Sequence, residues 1–388
     1  MSLAVTNIGL SSDGSADGSL PGDALVCQDG EITWIGDSRD VSERDHQTVV
    51  DAAGACVVPG FVDSHVHTTF GDYTPRQRTV GFIESYLHGG TTRMISASEV
   101  HVPGRPSNRV GVKALAVAAA HSFADYRPSG VTVHAGSVIL EPCLTPDDFA
   151  ELYADGVRMA KGGFGAFPKA MDYVPVAHAA KDAGLLVMCH TGGGSIPGSQ
   201  SKIDVEVLLE MRPNVAGHVN GGPTCLSPRE NERIVSEGGD IALQLVQAGN
   251  LRSAIDIAER ALAAGGFSRL LIATDTPTGT GVIPLGMLRS MAELVSLGPL
   301  TPAQAIAAST GNVTAVYGIP GGRLRVGAAA DLLVIDAPLG SSASDAFGAL
   351  SIGDLPSVAC AVTQGEVRLE RSRNTPPPTR AVTVRAAG

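Results

Sequence analysis

The 388-residue chain carries a set of residues whose types and spacing suit metal chemistry. His65 and His67 are two apart at the end of the apolar run Phe61–His67. Residues two apart in an extended strand face the same side, so both imidazoles can converge on one ion. His190 ends the run Leu185–His190, His218 lies in Asn214–Asn220, and Asp275 ends Leu270–Asp275. A lone histidine on an apolar strand is more often a satisfied core residue, and an HxH pair alone says little more. The pair joined by two later histidines and an aspartate, all near the ends of such runs, is specific. Imidazole and carboxylate together suit zinc or a similar transition ion with open coordination positions. Lys161 ends Val157–Lys161 and, apart from Arg158, is the ionisable residue of that run. A serine or cysteine nucleophile is a poor rival: there is no GxSxG turn, and Cys189 precedes His190 and so faces the other way.

These residues need elements that bring them together. Short β-branched or apolar runs recur at Phe61–His67, Arg93–Ala97, Val131–Val138, Val157–Lys161, Leu185–His190, Asn214–Asn220, Ile241–Val246 and Leu270–Asp275. Helical segments alternate with them, among them Arg76–His88, Asn108–His121, Pro146–Tyr153, Val174–Asp182 and Leu251–Ala263. Such alternation predicts an α/β fold, a (β/α)8 TIM barrel over residues 59–319, with active-site residues at the C-terminal strand ends. A doubly wound open sheet competes, but no GxGxxG follows the first strand and no GxxxxGK[ST] occurs. Both ends of the chain read as β. Leu25–Gln28 and Ile32–Ile35 flank the turn Asp29-Gly30, and Val358–Thr363 and Glu366–Leu369 flank Gln364-Gly365. Residues 1–58 and 320–388 are therefore expected to form one composite β-sandwich domain. The proline-rich Asn374–Pro378 should lie over the surface.

Composition narrows the partners. The formal net charge of −11 argues against nucleic acid and anionic membranes, which want a basic face. No uninterrupted apolar run approaches the ~20 residues of a membrane helix. No positive charge precedes an apolar stretch at the N-terminus, so no signal peptide is visible. The six cysteines include no CxxC pair and read as reduced, buried thiols, which points to the cytoplasm. The 47 glycines imply many tight turns, several of them beside the candidate ligands at Gly192–Gly194, Gly221-Gly222, Gly279 and Gly281.

The stretch Pro59-Gly60-Phe61-Val62-Asp63-Ser64-His65-Val66-His67 and the later His190, His218 and Asp275 resemble the amidohydrolase superfamily of metal-dependent hydrolases. Further stretches resemble its cyclic-amide-hydrolysing branch: Gly71-Asp72-Tyr73, Pro103-Gly104-Arg105-Pro106, His190-Thr191-Gly192-Gly193, Ser195-Ile196-Pro197-Gly198, His218-Val219-Asn220-Gly221-Gly222-Pro223, Ile283-Pro284-Leu285-Gly286 and Ser372-Arg373-Asn374-Thr375-Pro376-Pro377. The resemblance implies two divalent metal ions, zinc foremost, with iron or manganese as the alternative for one of them. His65, His67, Lys161 and Asp275 would hold the first, and Lys161, His190 and His218 the second. Where that branch carries a bridging glutamate, this chain places Lys161. Other superfamily members carry there a lysine carboxylated by CO2, a carbamate able to bridge as a glutamate does. Lys169, beyond the strand, is the lesser candidate; an ion pair of Lys161 with Asp275 is the structural alternative. The implied reaction is hydrolysis of the C–N bond of a small cyclic amide (lactam, enamide or imide) by a hydroxide bridging the metals, with Asp275 as catalytic proton carrier. The implied assembly is a homodimer or homotetramer. A heterocycle deaminase is the nearest enzymatic alternative, but such enzymes usually carry a glutamate soon after this histidine, where the chain reads Thr191-Gly192-Gly193. A non-catalytic scaffold of the same fold is the alternative of another class.

Candidate substrate groups lie on the loops after the strands. Tyr73 and His101 could hydrogen-bond a carbonyl or amide, and Arg105 could pair a carboxylate or simply brace its loop. Asn220 and Thr276 could line the other side. His88 and His178 read as helix-face residues, while His121 and His134 have no assignment.

Overall fold

The computed structural model describes residues 2–68, 79–100, 105–193, 201–222, 225–277 and 281–386. Its strands follow the apolar runs of the sequence. Barrel strands lie at Phe61–Val66, Thr91–Ser96, Thr132–His134 with Ser137–Ile139, Met159–Gly162, Leu186–His190, Val215–Gly217, Ala242–Val246 and Leu270–Ala273. Neighbours along this order pair in parallel. The third strand, expected to be continuous, is broken at Ala135-Gly136. Its first piece pairs with the second strand and its second piece with the fourth. Gly136 at φ +95° takes the break at no steric cost. First and eighth strands meet where Asp275 N–H donates to His65 O at 2.9 Å and His67 N–H to Thr276 O at 3.0 Å. The eight strands thus form the barrel.

The intervening helices begin where local chemistry satisfies their free N–H groups. Asn108 caps Arg109–Ala124, Asn250 caps Leu251–Ala263, and Ser227 with Glu230 forms a capping box on Pro228–Glu237. The helix after the first strand is described from Thr79 to Leu87, so Arg76 lies outside the described residues.

Inside the barrel, Val62, Ile95, Met159, Met188, Val215, Ala242 and Leu271 pack into one apolar layer. Because strand side chains alternate, the next inward position two residues on belongs to Lys161, His190 and Gln244. The site therefore rests on an apolar floor.

Two further sheets combine both ends of the chain. One has five strands, with Thr383–Ala386, Thr48–Asp51, Ser2–Thr6, Ala24–Gln28 and Glu31–Gly36 side by side. The other has four: Glu366–Leu369, Ser357–Thr363, Leu332–Asp336 and Cys56–Pro59. Their apolar faces meet through Leu3, Val5, Leu25, Ile32 and Val50 against Val57, Leu332, Val334 and Val362. Both expected hairpins form, with positive φ at Asp29 and Gly30 and at Gln364 and Gly365. The proline-rich segment is more than a surface tail: Thr375 is buried and accepts from Val358 N–H, and strand Thr383–Ala386 follows it. Cys143 and Cys225 are half-buried; the other four cysteines are buried, and none is in a disulfide.

Candidate active site

The first strand shifts register between Asp63 and Val66, at the rim where His65 and His67 lie. Both imidazoles are buried, with ring centres 5.5 Å apart. Asp275 Oδ1 lies 3.3 Å from His65 Nε2 and 3.4 Å from His67 Nε2. Lys161 Nζ is 3.3 Å from the same His65 nitrogen. The His218 ring stands 5.3 Å from His65 and 4.4 Å, edge to face, from His190. One ligand atom from each of His65, His218 and Asp275 falls within a 4.8 Å span. The six residues expected as ligands therefore gather at the C-terminal end of the barrel. His218 at φ +37° and Asp275 at φ +57° both hold the left-handed conformation. Such non-glycine conformations cost about 1–3 kcal/mol and persist where the surroundings over-determine them.

Burial sets the protonation states. His65 is held well below the usual histidine range by desolvation and then by Lys161, His218 and His67. His67 is pushed down to about 3 by desolvation and Lys161. Neutral imidazoles at pH 7 offer lone pairs, the form a metal binds. Lys161 is lowered to about 8 by burial, against the opposing pull of Asp275. At pH 7 roughly a tenth is then the free amine, the form able to capture CO2, against far less at the ordinary lysine value. The donor set of four imidazoles, one carboxylate and a carboxylatable amine fits a pair of divalent ions of zinc type.

Supporting residues that the sequence reading passed over fix these orientations. Gln244 Oε1 lies 2.6 Å from His65 Nδ1 and accepts from it, leaving the Nε2 lone pair facing Asp275 and Lys161. The same oxygen accepts from His218 N–H at 3.3 Å, while Nε2 of the amide donates to Ser64 Oγ at 2.8 Å. Phe164 meets His190 edge to face, with ring centres 4.5 Å apart. Gly163, at φ +93°, allows the fourth strand to pass His190: a Cβ there would stand 2.6 Å from the His190 Cβ. The sequence signal for Gln244 was its place as the polar residue in Ala242–Val246.

The expected substrate residues fare differently. Tyr73 and His101 lie outside the described residues. Arg105 is engaged by buried Glu141 at 2.7 Å and by the Phe164 carbonyl, so it braces the loop. Asn220 spends its amide on Val246, accepting from its N–H at 2.8 Å and donating to its carbonyl at 3.1 Å. The Thr276 hydroxyl is engaged by Tyr86 and Thr274. Each of these three side chains thus has partners within the protein, while Arg105 Nε has none among the described residues. Lys169 is exposed and outside the cluster.

The chain belongs to the amidohydrolase family, whose model matches residues 56–367. Among its relatives is the enamidase of Eubacterium barkeri, 44% identical over 366 residues that span 94% of each chain. The crystal structure of enamidase superposes with a TM-score of 0.93 at 43% identity, covering 99% of this chain and 100% of that one. An imidazolonepropionase of Cutibacterium acnes is 25% identical, covering 87% of this chain and 91% of that one. The L-hydantoinase of Arthrobacter aurescens, at 15% identity and a TM-score of 0.63, shares the fold. Among the described residues no helix is long and apolar enough to cross a membrane.

Proposed function

We propose that this chain is a binuclear metal-dependent amidohydrolase that opens the C–N bond of a small cyclic amide, a lactam, enamide or imide. The observation that carries the reading is the buried Lys161 amine 3.3 Å from His65, in one cluster with Asp275, His190 and His218. A carbamate on Lys161 would give that cluster the shared anionic ligand a metal pair needs. His65, His67, Lys161 and Asp275 would hold one ion, and Lys161, His190 and His218 the other, with zinc the best match. Ions bound there would polarise the amide carbonyl and lower the pKa of a coordinated water.

The chain's own residues do the rest. Asp275 Oδ1, within 3.4 Å of both His65 and His67, takes the proton of the attacking water and returns it to the leaving nitrogen. Gln244 holds His65 in the tautomer that keeps Nε2 available. The apolar floor below excludes bulk water from the base of the site. The 44% identity to enamidase supports a cyclic amide as the substrate class. Thr191-Gly192-Gly193 after His190 supplies no carboxylate for deamination. The same reading assigns residues 59–319 to the catalytic barrel and 1–58 with 320–388 to the composite β domain.

Metal analysis of wild type, Lys161→Ala and Asp275→Asn tests the assignment, together with turnover of lactams, cyclic imides, hydantoins and N-acyl amino acids. Two metals per chain, lost or halved in Lys161→Ala, with ring opening abolished in both variants, is the expected result. Fewer than two metals in wild type and no effect of Lys161→Ala would end the binuclear reading. Turnover of an aminopyrimidine with no amide opened would replace it by deamination.

A further inference from the structure

Behind Asp275 runs a file of hydroxyl groups that the metal site itself does not use. Thr274 and Thr276 stand on either side of Asp275 and bring their Oγ1 atoms within 2.9 Å of each other. Thr274 Oγ1 lies 2.5 Å from Asp63 Oδ2, and Thr276 Oγ1 meets the Tyr86 hydroxyl. Tyr86 in turn accepts from Ile283 N–H at 3.1 Å. Asp63, Tyr86, Thr274 and Thr276 are all fully buried. Tyr86 sits on the helix Thr79–Leu87, its ring stacked on Phe82 at 4.5 Å.

The ends of this file fix its polarity. Thr274 Oγ1 spends its one proton on Asp63 Oδ2, so Thr276 must donate to Thr274 and Tyr86 to Thr276, while the Tyr86 oxygen accepts from Ile283 N–H. The other carboxylate oxygen of Asp63 accepts from Thr274 N–H at 3.0 Å and His65 N–H at 3.2 Å. Every hydroxyl proton is used once, and each bond polarises the next in a dry interior. Tyr86 thereby clasps Thr276 and Ile283, which lie on the two sides of the segment that follows Asp275.

Asp275 needs such support. Its φ of +57° is one that L residues rarely hold, and its own N–H is already committed to the His65 carbonyl. We propose that Tyr86, Thr276 and Thr274, anchored on Asp63, form a positioning relay that keeps the Asp275 carboxylate aimed at His65 and His67. The inference rests on the metal-site reading above. The hydroxyls of Tyr86, Thr274 and Thr276 are engaged with one another and with Asp63, and the role assigned to them is to act through Asp275.

Co2+ alone is the probe. Apo protein is titrated with Co2+, and the visible d–d bands and the melting temperature are recorded for wild type, Tyr86→Phe, Thr276→Val, Thr276→Ser and the Tyr86→Phe/Thr276→Val double variant. Tyr86→Phe keeps the ring in the core and removes only the hydroxyl. It and Thr276→Val should each weaken Co2+ binding about tenfold, the lower end for loss of an outer partner, and alter the bands. Thr276→Ser should restore both, and the double variant should be no worse than the weaker single one, because both cut the same file. Wild-type affinity and bands in Tyr86→Phe and Thr276→Val overturn the proposal, whatever happens to the melting temperature. A wild type that takes up no Co2+ overturns the metal-site reading and this inference with it, before any variant is compared.

Discussion

Gln244→Leu keeps most of the side-chain volume on the seventh barrel strand and removes the amide. His65 Nδ1–H then loses an acceptor at 2.6 Å, His218 N–H one at 3.3 Å, and Ser64 Oγ a donor at 2.8 Å. Gln244 is fully buried, so water does not replace these bonds readily. A buried donor left without a partner costs about 1–3 kcal/mol, which appears as lower stability of the apo protein. The second cost falls on the metal. Without the Nδ1 contact His65 can turn or change tautomer, and loss of such an outer partner lowers metal affinity about 10–100-fold. That range corresponds to about 1.4–2.7 kcal/mol. Competition between the apo protein and a chromophoric chelator for Zn2+ measures it, with urea unfolding of the apo forms alongside. Gln244→Glu is the control, since it keeps an acceptor for His65 while losing the donor to Ser64. Weakened Zn2+ binding in Gln244→Leu but not in Gln244→Glu is expected. Wild-type Zn2+ affinity in Gln244→Leu would refute the argument that this contact prepares His65 as a ligand.

Asn220→Ala strips both bonds to Val246 and should destabilise the protein by about 1–3 kcal/mol with KM unchanged, as urea unfolding and steady-state kinetics on an accepted amide will read; a raised KM at unchanged stability would return Asn220 to the substrate site. His134 supplies the pH prediction: burial, then Arg93 and Arg127, lower its pKa from 6.5 to about 4. The unfolded chain takes this proton near pH 6.5 while the folded one resists it, so its stabilising effect is complete above pH 6.5 and is lost as pH falls toward 4. At 1.36 kcal/mol per unit the loss is about 3 kcal/mol. Urea unfolding of wild type and His134→Gln from pH 7 to 4 should show their free-energy difference shrinking or reversing in that window, and a constant difference contradicts the assignment.

The barrel was readable in the sequence because each strand is a short apolar run, and the helix Leu251–Ala263 ends where its pattern ends. The gathering of the candidate ligands was readable because strand geometry turns spacing into direction: Lys161 and His190 stand two residues above Met159 and Met188 on the same inward face. Polar loop side chains follow no such rule. Asn220 and Thr276 have the composition of ligand-facing residues, yet one holds the backbone of the next strand and the other joins a buried hydroxyl file. The Arg105–Glu141 pair joins positions far apart in the chain, and local pattern carries no record of such a meeting. The break in the third strand was not legible because Ala135-Gly136 sits between two pieces, Thr132–His134 and Ser137–Ile139, that both carry strand-forming residues and read as one run.

The shared sheets have a consequence for the birth of the protein. Strand Thr48–Asp51 pairs with Thr383–Ala386, and Cys56–Pro59 with Leu332–Asp336. At roughly 5–20 residues per second, synthesis of the intervening chain takes on the order of tens of seconds. Throughout that time the valines at 49, 50, 57 and 58, all buried at the end, lie along strand edges whose partners do not yet exist. Unpaired apolar edges are templates for aggregation. Cover from a chaperone or from the half-formed barrel would lower that hazard. Shortening the chain before Thr383 would leave the edge at Thr48–Asp51 uncovered for the life of the molecule.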